Sequence, residues 1–520
     1  MDNTKTEGSA LLRDVKRNFY LLYAGLAIIG FIAIVALVLI IFTLSGVNRL
    51  ADTTYNHLED DLNVTLASTK RPVADQTSDV DRQFRDAAVR LLDYNTNGAG
   101  KHIGHKWLEQ LVDVFGSRKV GSEGLDKAID FTVQELRKRG FQSVHTEDVA
   151  DIPNWVRGND QAIMIEPRRQ KLSVLAIGGS PSADITAEVV VLKNFQQLEA
   201  VNVDAVKGRI VLFSPVWEGY GNTVRYRGSA KRVEEKGAVG LLVKSVTPFS
   251  VGTPHTGNGP SDSTIPAACL TIEEAEMIER LTERGIKVVV QMSFTSGFVG
   301  KVTSRNTIFE IIGSEKPNEI VLLSAHMDSW DVGQGAMDDG GGVAAVMQAM
   351  NSILSLAKLS ESFFPKRTIR GVFWTAEEVG LLGAERYYNT HKDNANLKET
   401  FFFVSETDQG AFRPTNFSSR LRFSGTDKQR GKMEDIVRMM NNYGIPLSVV
   451  AQNGGMSDLK FWTNDKVPGV QYTSDKGDQY YWYFHHTNAD YMTVFKEDDI
   501  DFTAAIFAVM AHVIANMDAW

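Results

Sequence analysis

A chain of 520 residues, 43% hydrophobic and 23% charged, is ordinary globular material and too long for one simple core, so two or more domains are expected. Its net charge of -9 and the lack of a long basic stripe argue against a nucleic-acid partner. A single cysteine, Cys269, excludes an intrachain disulfide.

Residues 1–19 read as a short tail holding Lys5, Arg13, Lys16 and Arg17. Tyr20 to Leu44 is a charge-free run of 25 residues rich in Leu, Ile, Val and Ala. As a helix it would be roughly 37 Å long, enough to cross a hydrocarbon core of about 30 Å. A cleaved signal peptide is disfavoured, because its apolar region spans about 7–15 residues. Past the run only Arg49 is basic before the acidic group Asp52, Glu59, Asp60 and Asp61. This Lys/Arg imbalance puts the tail in the cytoplasm. The expectation is a single-pass type II membrane protein whose remaining chain is lumenal or extracellular, at the cell surface or in the endolysosomal system. Sequons at Asn63 and Asn416 fit that side as glycosylation acceptors.

Residues 45–75 are polar without an apolar period and read as a stalk. Helical patterns follow at FRDAAVRLLDY, at Trp107 to Phe115, and at GLDKAIDFTVQELRKRGF, which Gly140 closes as a C-cap. Between about 150 and 300, short β-branched runs alternate with Gly and Asp turns: KLSVLAIGG, ITAEVVVL, GRIVLFS, AVGLLVKS and IKVVVQMSF. That stretch predicts a β-rich insert. From 305 onward strands alternate with helices: TIFEIIG, EIVLLSA, GVAAVMQAMNSILSLA, TIRGVFWTA, LGAERYYNTHK, ETFFFVSE and KMEDIVRMMNNYG. Such alternation predicts an α/β sheet with helices on both faces.

Ligands in open α/β sheets bind beyond the carboxyl ends of the strands. His326 follows EIVLLSA, Glu377 and Glu378 follow TIRGVFWTA, and Asp408 follows TFFFVSET, while Asp338 and His486 come from loops. Each alone has an ordinary explanation, such as a polar strand end, a helix start or an N-cap. Together they make the set of a two-metal hydrolase: two imidazoles, two terminal carboxylates, one carboxylate able to bridge and one free to act as a base. Imidazole and carboxylate suit zinc, and two metals about 3.5–4 Å apart share a bridging carboxylate and a hydroxide. Asp328, two residues past His326, is placed to hold that imidazole from behind and fix its tautomer. No HExxH and no GxSxG is present.

HMDSWDVGQGAMDDGGG, WTAEEVGLLGAERYY, SETDQGAF and FHHTNADYMTV closely resemble the carboxypeptidase Q family of the co-catalytic di-zinc aminopeptidase and carboxypeptidase superfamily. The resemblance runs from about residue 80 to the C-terminus and includes IPNWVRG at 152–158 and TPHTG at 253–257. GRIVLFS and KGAVGLLV make the insert similar to a protease-associated domain. The resemblance implies a zinc exopeptidase fold, α/β with a mixed, mostly parallel sheet, built from 76–150 and 300–520 around an insert at 151–299. It implies two zinc ions per subunit: Asp338 bridges, His326 and Asp408 complete one site, and Glu378 and His486 complete the other. Glu377 would be the general base, the Asp338–Asp339 peptide would be cis, and the protein would be a homodimer. His485 stands where relatives carry a tyrosine that steadies the oxyanion, a task an imidazole donor can share; the alternative is simple packing beside His486. The family is secreted, so the apolar run at 20–44 departs from it.

The expected function is hydrolysis of dipeptides or short peptides by a metal-bridged hydroxide with a glutamate base. One rival is a catalytically silent binding protein of transferrin-receptor architecture; another is a glutaminyl cyclase, which uses one metal. The full ligand set disfavours both.

Overall fold

The computed structural model describes residues 78–520 apart from 250, 260, 261 and 393. The expected tail, the apolar run 20–44, the stalk and Asn63 lie outside the described residues. Helices Asp79–Thr96, Ile103–Phe115 and Glu123–Arg139 come first. Ser78 Oγ accepts from Asp81 N at 3.2 Å to start one, and Ser122 caps another, which stops at Gly140 with φ 89°. That positive φ is the left-handed C-cap for which glycine is suited.

The main sheet has eight strands, in spatial order Gln142–Val156, Gly297–Ile311, Arg367–Trp374, Lys316–His326, Thr400–Thr407, Gly469–Thr473, Arg420–Ser424 and Ser448–Ala451. The central members from Arg367–Trp374 to Gly469–Thr473 run parallel. Gly297–Ile311 and Arg420–Ser424 flank them antiparallel. Both faces are covered. Val321, Leu323 and Phe373 enter a core with Met347, Met350 and Val509, whereas Leu322, Val372 and Trp374 enter another with Tyr387 and Trp462. Alternate residues of one strand are thus buried on opposite sides, as parallel strands between helices require. The fold is the mixed α/β architecture expected of a zinc exopeptidase.

Helices Ala336–Ala357 and Asp499–Asn516 are long and apolar enough to cross a membrane, yet 94% of each apolar window is buried inside the protein. They are core helices, and their composition reflects packing on all sides.

A second eight-stranded sheet is built from residues 161–294. The chain leaves the main sheet along Gln142–Val156 and returns along Gly297–Ile311, with Val156 facing Gly297. The expected insert borders at 151 and 299 fall inside these paired strands. KLSVLAIGG, which reads as one strand, breaks at Ser173, whose N–H is taken by Glu274 Oε2 at 2.7 Å. Gln170–Leu172 then lies at one edge of the sheet and Val174–Ala176 at the other. One residue joins the two edges, so the sheet curls toward a closed barrel. Asn416, the described sequon, is exposed.

Candidate active site

The carboxyl ends of the central strands form the floor of the site. His326 ends its strand, and Ser324 faces Glu406 on the neighbouring strand. Two residues further on, His326 Nε2 lies 3.2 Å from Asp408 Oδ1. The other ring nitrogen, Nδ1, lies 2.9 Å from the backbone carbonyl of Asp328. That carbonyl accepts the Nδ1 proton and leaves Nε2 free as a ligand. The contact of Asp328 with the imidazole is thus made by its backbone carbonyl. Its carboxylate stands 3.9 Å from Nδ1 and accepts instead from the N–H groups of Glu377 at 3.1 Å and Glu378 at 3.3 Å. Strand Arg367–Trp374 stops before this pair, and the Asp328 carboxylate helps hold the Glu-Glu turn, whose Glu377 carbonyl also accepts from Gly380 and Leu381 N–H at 2.9 Å each.

Asp338 is positioned by its backbone. Its peptide bond to Asp339 is cis, and Asp490 accepts from Met337 N at 2.7 Å and Asp338 N at 3.1 Å. Arg118, fully buried, donates to the carbonyls of Met327, Gln334 and Gly335 at 2.7–2.8 Å. Gly342 is obligatory here: a Cβ would stand 2.3 Å from Asp339 Oδ1 and 2.4 Å from the Thr407 carbonyl. The outcome is one carboxylate between two imidazoles. Asp338 Oδ1 lies 3.2 Å from His326 Nε2, and Oδ2 lies 3.1 Å from His486 Nε2. Glu378 Oε2 adds to the second side, 2.9 Å from His486 Nε2.

These residues fit a metal. The ligand atoms of His326, Asp338 and Glu378 lie within 4.8 Å of one another, as do those of His326, Asp339 and Asp408. Asp339 is otherwise engaged, since its two oxygens accept from the N–H groups of His326 and Gly342. Glu378 Oε1 is buried with no hydrogen-bond partner among the described residues, and a cation held by this cluster would give it one.

The field of the site is negative. Burial disfavours a charged His326, yet its bonds to Asp338 and Asp408 hold it well above the ordinary imidazole range. His486 is likewise raised to about 9, because the Glu378 and Asp338 charges outweigh burial. Burial pushes Glu377 well above the usual carboxylate range, and Asp408, Asp458 and Glu378 add repulsion. Bound cations would draw it back down. Glu377 touches none of the ligand atoms above; its Oε1 accepts from Ser457 Oγ at 3.1 Å. His485 stacks on His486 with ring centroids 3.6 Å apart. Its Nε2 lies 3.4 Å from Asp338 Oδ2 and its Nδ1 3.4 Å from His255 Nε2. Burial and the His486 charge keep it neutral, well below its ordinary pKa.

The second sheet completes the site. Thr256 N donates to the His486 carbonyl at 2.9 Å, and the Thr256 carbonyl lies 3.2 Å from His486 Nδ1. Arg227 steadies that segment, donating to the carbonyls of Thr256 and Asn258 at 2.9 Å each. The loop between His326 and Asp338 docks on the same sheet. Trp330 joins its core beside Trp155. The Asp331 carboxylate accepts from both Nε and Nη2 of Arg157, at 2.8 and 2.9 Å. IPNWVRG, TPHTG and HMDSWD are therefore three sides of one interface. The cleft above holds about 400 Å³ and is lined by Asp338, Glu377, Glu378, Asp408, His485 and His486, joined by Tyr220 and Arg227 from the segment that carries the second sheet. His326 and Asp328 lie behind that surface. Arg118, Arg227, Asp490 and Ser457 escaped sequence reasoning. Only Asp490 carried a signal, as part of FHHTNADYMTV.

Comparisons agree with this geometry. The model of peptidase family M28 matches residues 306–511. Carboxypeptidase Q of Mus musculus is 40% identical over 445 residues, covering 84% of this chain and 90% of the relative. The Homo sapiens protein is 38% identical, covering 83% and 89%. Among solved structures, a peptidase M28 precursor from Shewanella amazonensis SB2B matches with a TM-score of 0.77 and 30% identity, covering 84% and 98%. A zinc aminopeptidase from Bacillus subtilis shares the fold at TM-score 0.60 and 19% identity, covering 79% and 94%. The strand-end ligand cluster, the second sheet that closes over it and these relatives agree: the chain belongs to the carboxypeptidase Q family of M28 peptidases and is a metallo-exopeptidase.

Proposed function

We propose that the chain hydrolyses dipeptides and very short peptides with two zinc ions. His326 and Asp408 would hold one, Glu378 and His486 the other, and Asp338 both. The observation that carries this reading is Asp338, whose two oxygens face two different imidazoles at 3.2 and 3.1 Å. Zinc bound there supplies an acidified water and polarises the scissile carbonyl. Glu377, free of the ligand set and oriented by Ser457, takes a proton from the attacking water and passes it to the leaving amine. His485 is neutral and lines the cleft, where its N–H can meet the developing oxyanion. The acidic floor receives a substrate ammonium beside the scissile carbonyl, and the cleft that Tyr220 and Arg227 also line restricts access for long chains. On the Lys/Arg asymmetry around residues 20–44, the catalytic domain belongs outside the cytoplasm on a type II anchor. Glycosylation at Asn63 and Asn416 and a homodimeric state complete the proposal.

The test compares a dipeptide, its N-acetyl form and a decapeptide sharing the first two residues, using zinc-loaded protein. The free dipeptide should be cleaved far faster than either. Equal cleavage of the acetylated dipeptide would remove the need for a free amino group, and efficient internal cleavage of the decapeptide would end the exopeptidase reading.

A further inference from the structure

The cleft wall contains a guanidinium with no hydrogen bond or ion pair among the described residues. Arg422 lies in strand Arg420–Ser424, where Leu421 and Phe423 are buried on the core side and the alternate residues turn the other way. Pairing sets Arg422 opposite Gln471, and Gln471 opposite Glu406, two residues before Asp408. Residues paired across strands share a face of the sheet. Arg422 and Gln471 accordingly line the same cleft as Glu377 and Asp408.

The other nearby guanidinium groups are engaged. Arg420 pairs with Asp478 at 2.6 Å, and Arg227 is bonded to backbone carbonyls. Arg422 is half-buried, and its side chain makes no hydrogen bond or ion pair among the described residues. Gln471 is only 6% exposed and its amide likewise has no hydrogen bond among them. Burial, with the Arg420 charge adding to it and the Asp478 charge partly opposing them, lowers the pKa of Arg422. A partly desolvated guanidinium beside a buried, unengaged amide is an unfavourable arrangement until an anion meets it.

We propose that Arg422 and Gln471 receive the free C-terminal carboxylate of a dipeptide and so set the length of the substrate. The inference rests on the exopeptidase reading above. A guanidinium binds a carboxylate through two parallel N–H bonds, and the Gln471 amide supplies a further donor. The charge pattern then orients the substrate, with its ammonium toward the acidic floor and its carboxylate toward Arg422. Each added residue carries the carboxylate up to about 3.3–3.6 Å further along an extended chain. A tripeptide bound in the same register would offer Arg422 a neutral amide instead.

The experiment measures kcat and KM on one dipeptide and its C-terminal amide, for the zinc-loaded full chain, Arg422→Gln and Arg422→Lys, with zinc content determined for each. The wild type should prefer the free acid by about 10- to 100-fold in kcat/KM, mostly through KM, as for a charge-assisted hydrogen bond. Arg422→Gln should bring that ratio close to one with zinc retained, and Arg422→Lys should keep part of it. Equal wild-type rates on acid and amide would overturn the inference while leaving the exopeptidase reading standing. An Arg422→Gln protein that loses equally on both substrates would do the same. If Arg422→Gln does not fold, Arg422→Lys decides: a several-fold smaller ratio supports the inference, and an unchanged ratio overturns it. A wild type that cleaves neither substrate would overturn both readings together.

Discussion

The two halves of the proposed metal centre are built differently. His326 and Asp408 sit at the ends of adjacent parallel strands whose pairing runs unbroken from Val321–Phe403 to Ser324–Glu406, just before them. Their geometry is a property of the main sheet. Glu378 and His486 come from a turn and a loop. Asp328 places the first, and the Thr256 segment of the second sheet holds the second. One half is therefore as rigid as the core, and the other depends on how two sheets dock. Metal affinity, and with it activity, should respond to changes in the second sheet through the His486 side alone.

Asp338→Ala should produce the largest effect, because that carboxylate belongs to both halves. Turnover should fall below detection, zinc should be lost, and Tm should stop responding to chelator, since metal binding contributes folding energy. A variant that still binds two zinc ions would show that the halves do not share this residue. Arg227→Met should separate the halves. It leaves the Thr256 and Asn258 carbonyls without their donor, and outer contacts of this kind are worth about 10- to 100-fold in metal affinity. A zinc titration should find one site weakened and one unchanged. Equal weakening of both sites would mean that the sheets do not divide the centre in this way.

The smallest effect lies away from the cleft and serves as a control. His391 is held between Glu399 at 2.8 Å and Glu147 at 3.0 Å. Burial disfavours its charge, but those bonds raise its pKa above the ordinary 6.5. Glu147 and Glu399 are each lowered to about 2 despite burial, by their bonds to His145, His391 and Arg370. Raised imidazole stability is complete below 6.5 and is lost as pH rises through the folded pKa. Depressed carboxylate stability is complete above 4.5 and is lost as pH falls toward 2. This cluster should thus stabilise most between those limits. His391→Gln should flatten the fall of Tm above pH 6.5, an effect of the order of 1 °C, with zinc content unchanged. A wild-type Tm that rises through that range would refute the assignment.

What was legible in the sequence follows the same division. The ligands His326 and Asp408 end apolar runs, and parallel strands deliver such residues to one edge by construction. Asp328 was readable as important but not in its role, because spacing cannot distinguish its carbonyl from its carboxylate. Arg118, Arg227 and Asp490 act on backbone groups far away in the chain, and no local pattern announces such contacts. TPHTG was visible as a motif, yet its use is a backbone carbonyl on His486. The break of KLSVLAIGG at Ser173 depends on Glu274, about a hundred residues later, so a β-branched run alone could not show it.

The central claim is a two-metal centre with Glu377 outside the ligand set. Zinc content and turnover of Glu377→Gln, measured beside the wild type, test it most directly. Both proteins should hold two zinc ions per chain, while the amide, unable to take a proton, lowers turnover by about 10²–10⁴. A variant that loses zinc, or that keeps more than about a tenth of wild-type turnover against that expectation, would contradict the account.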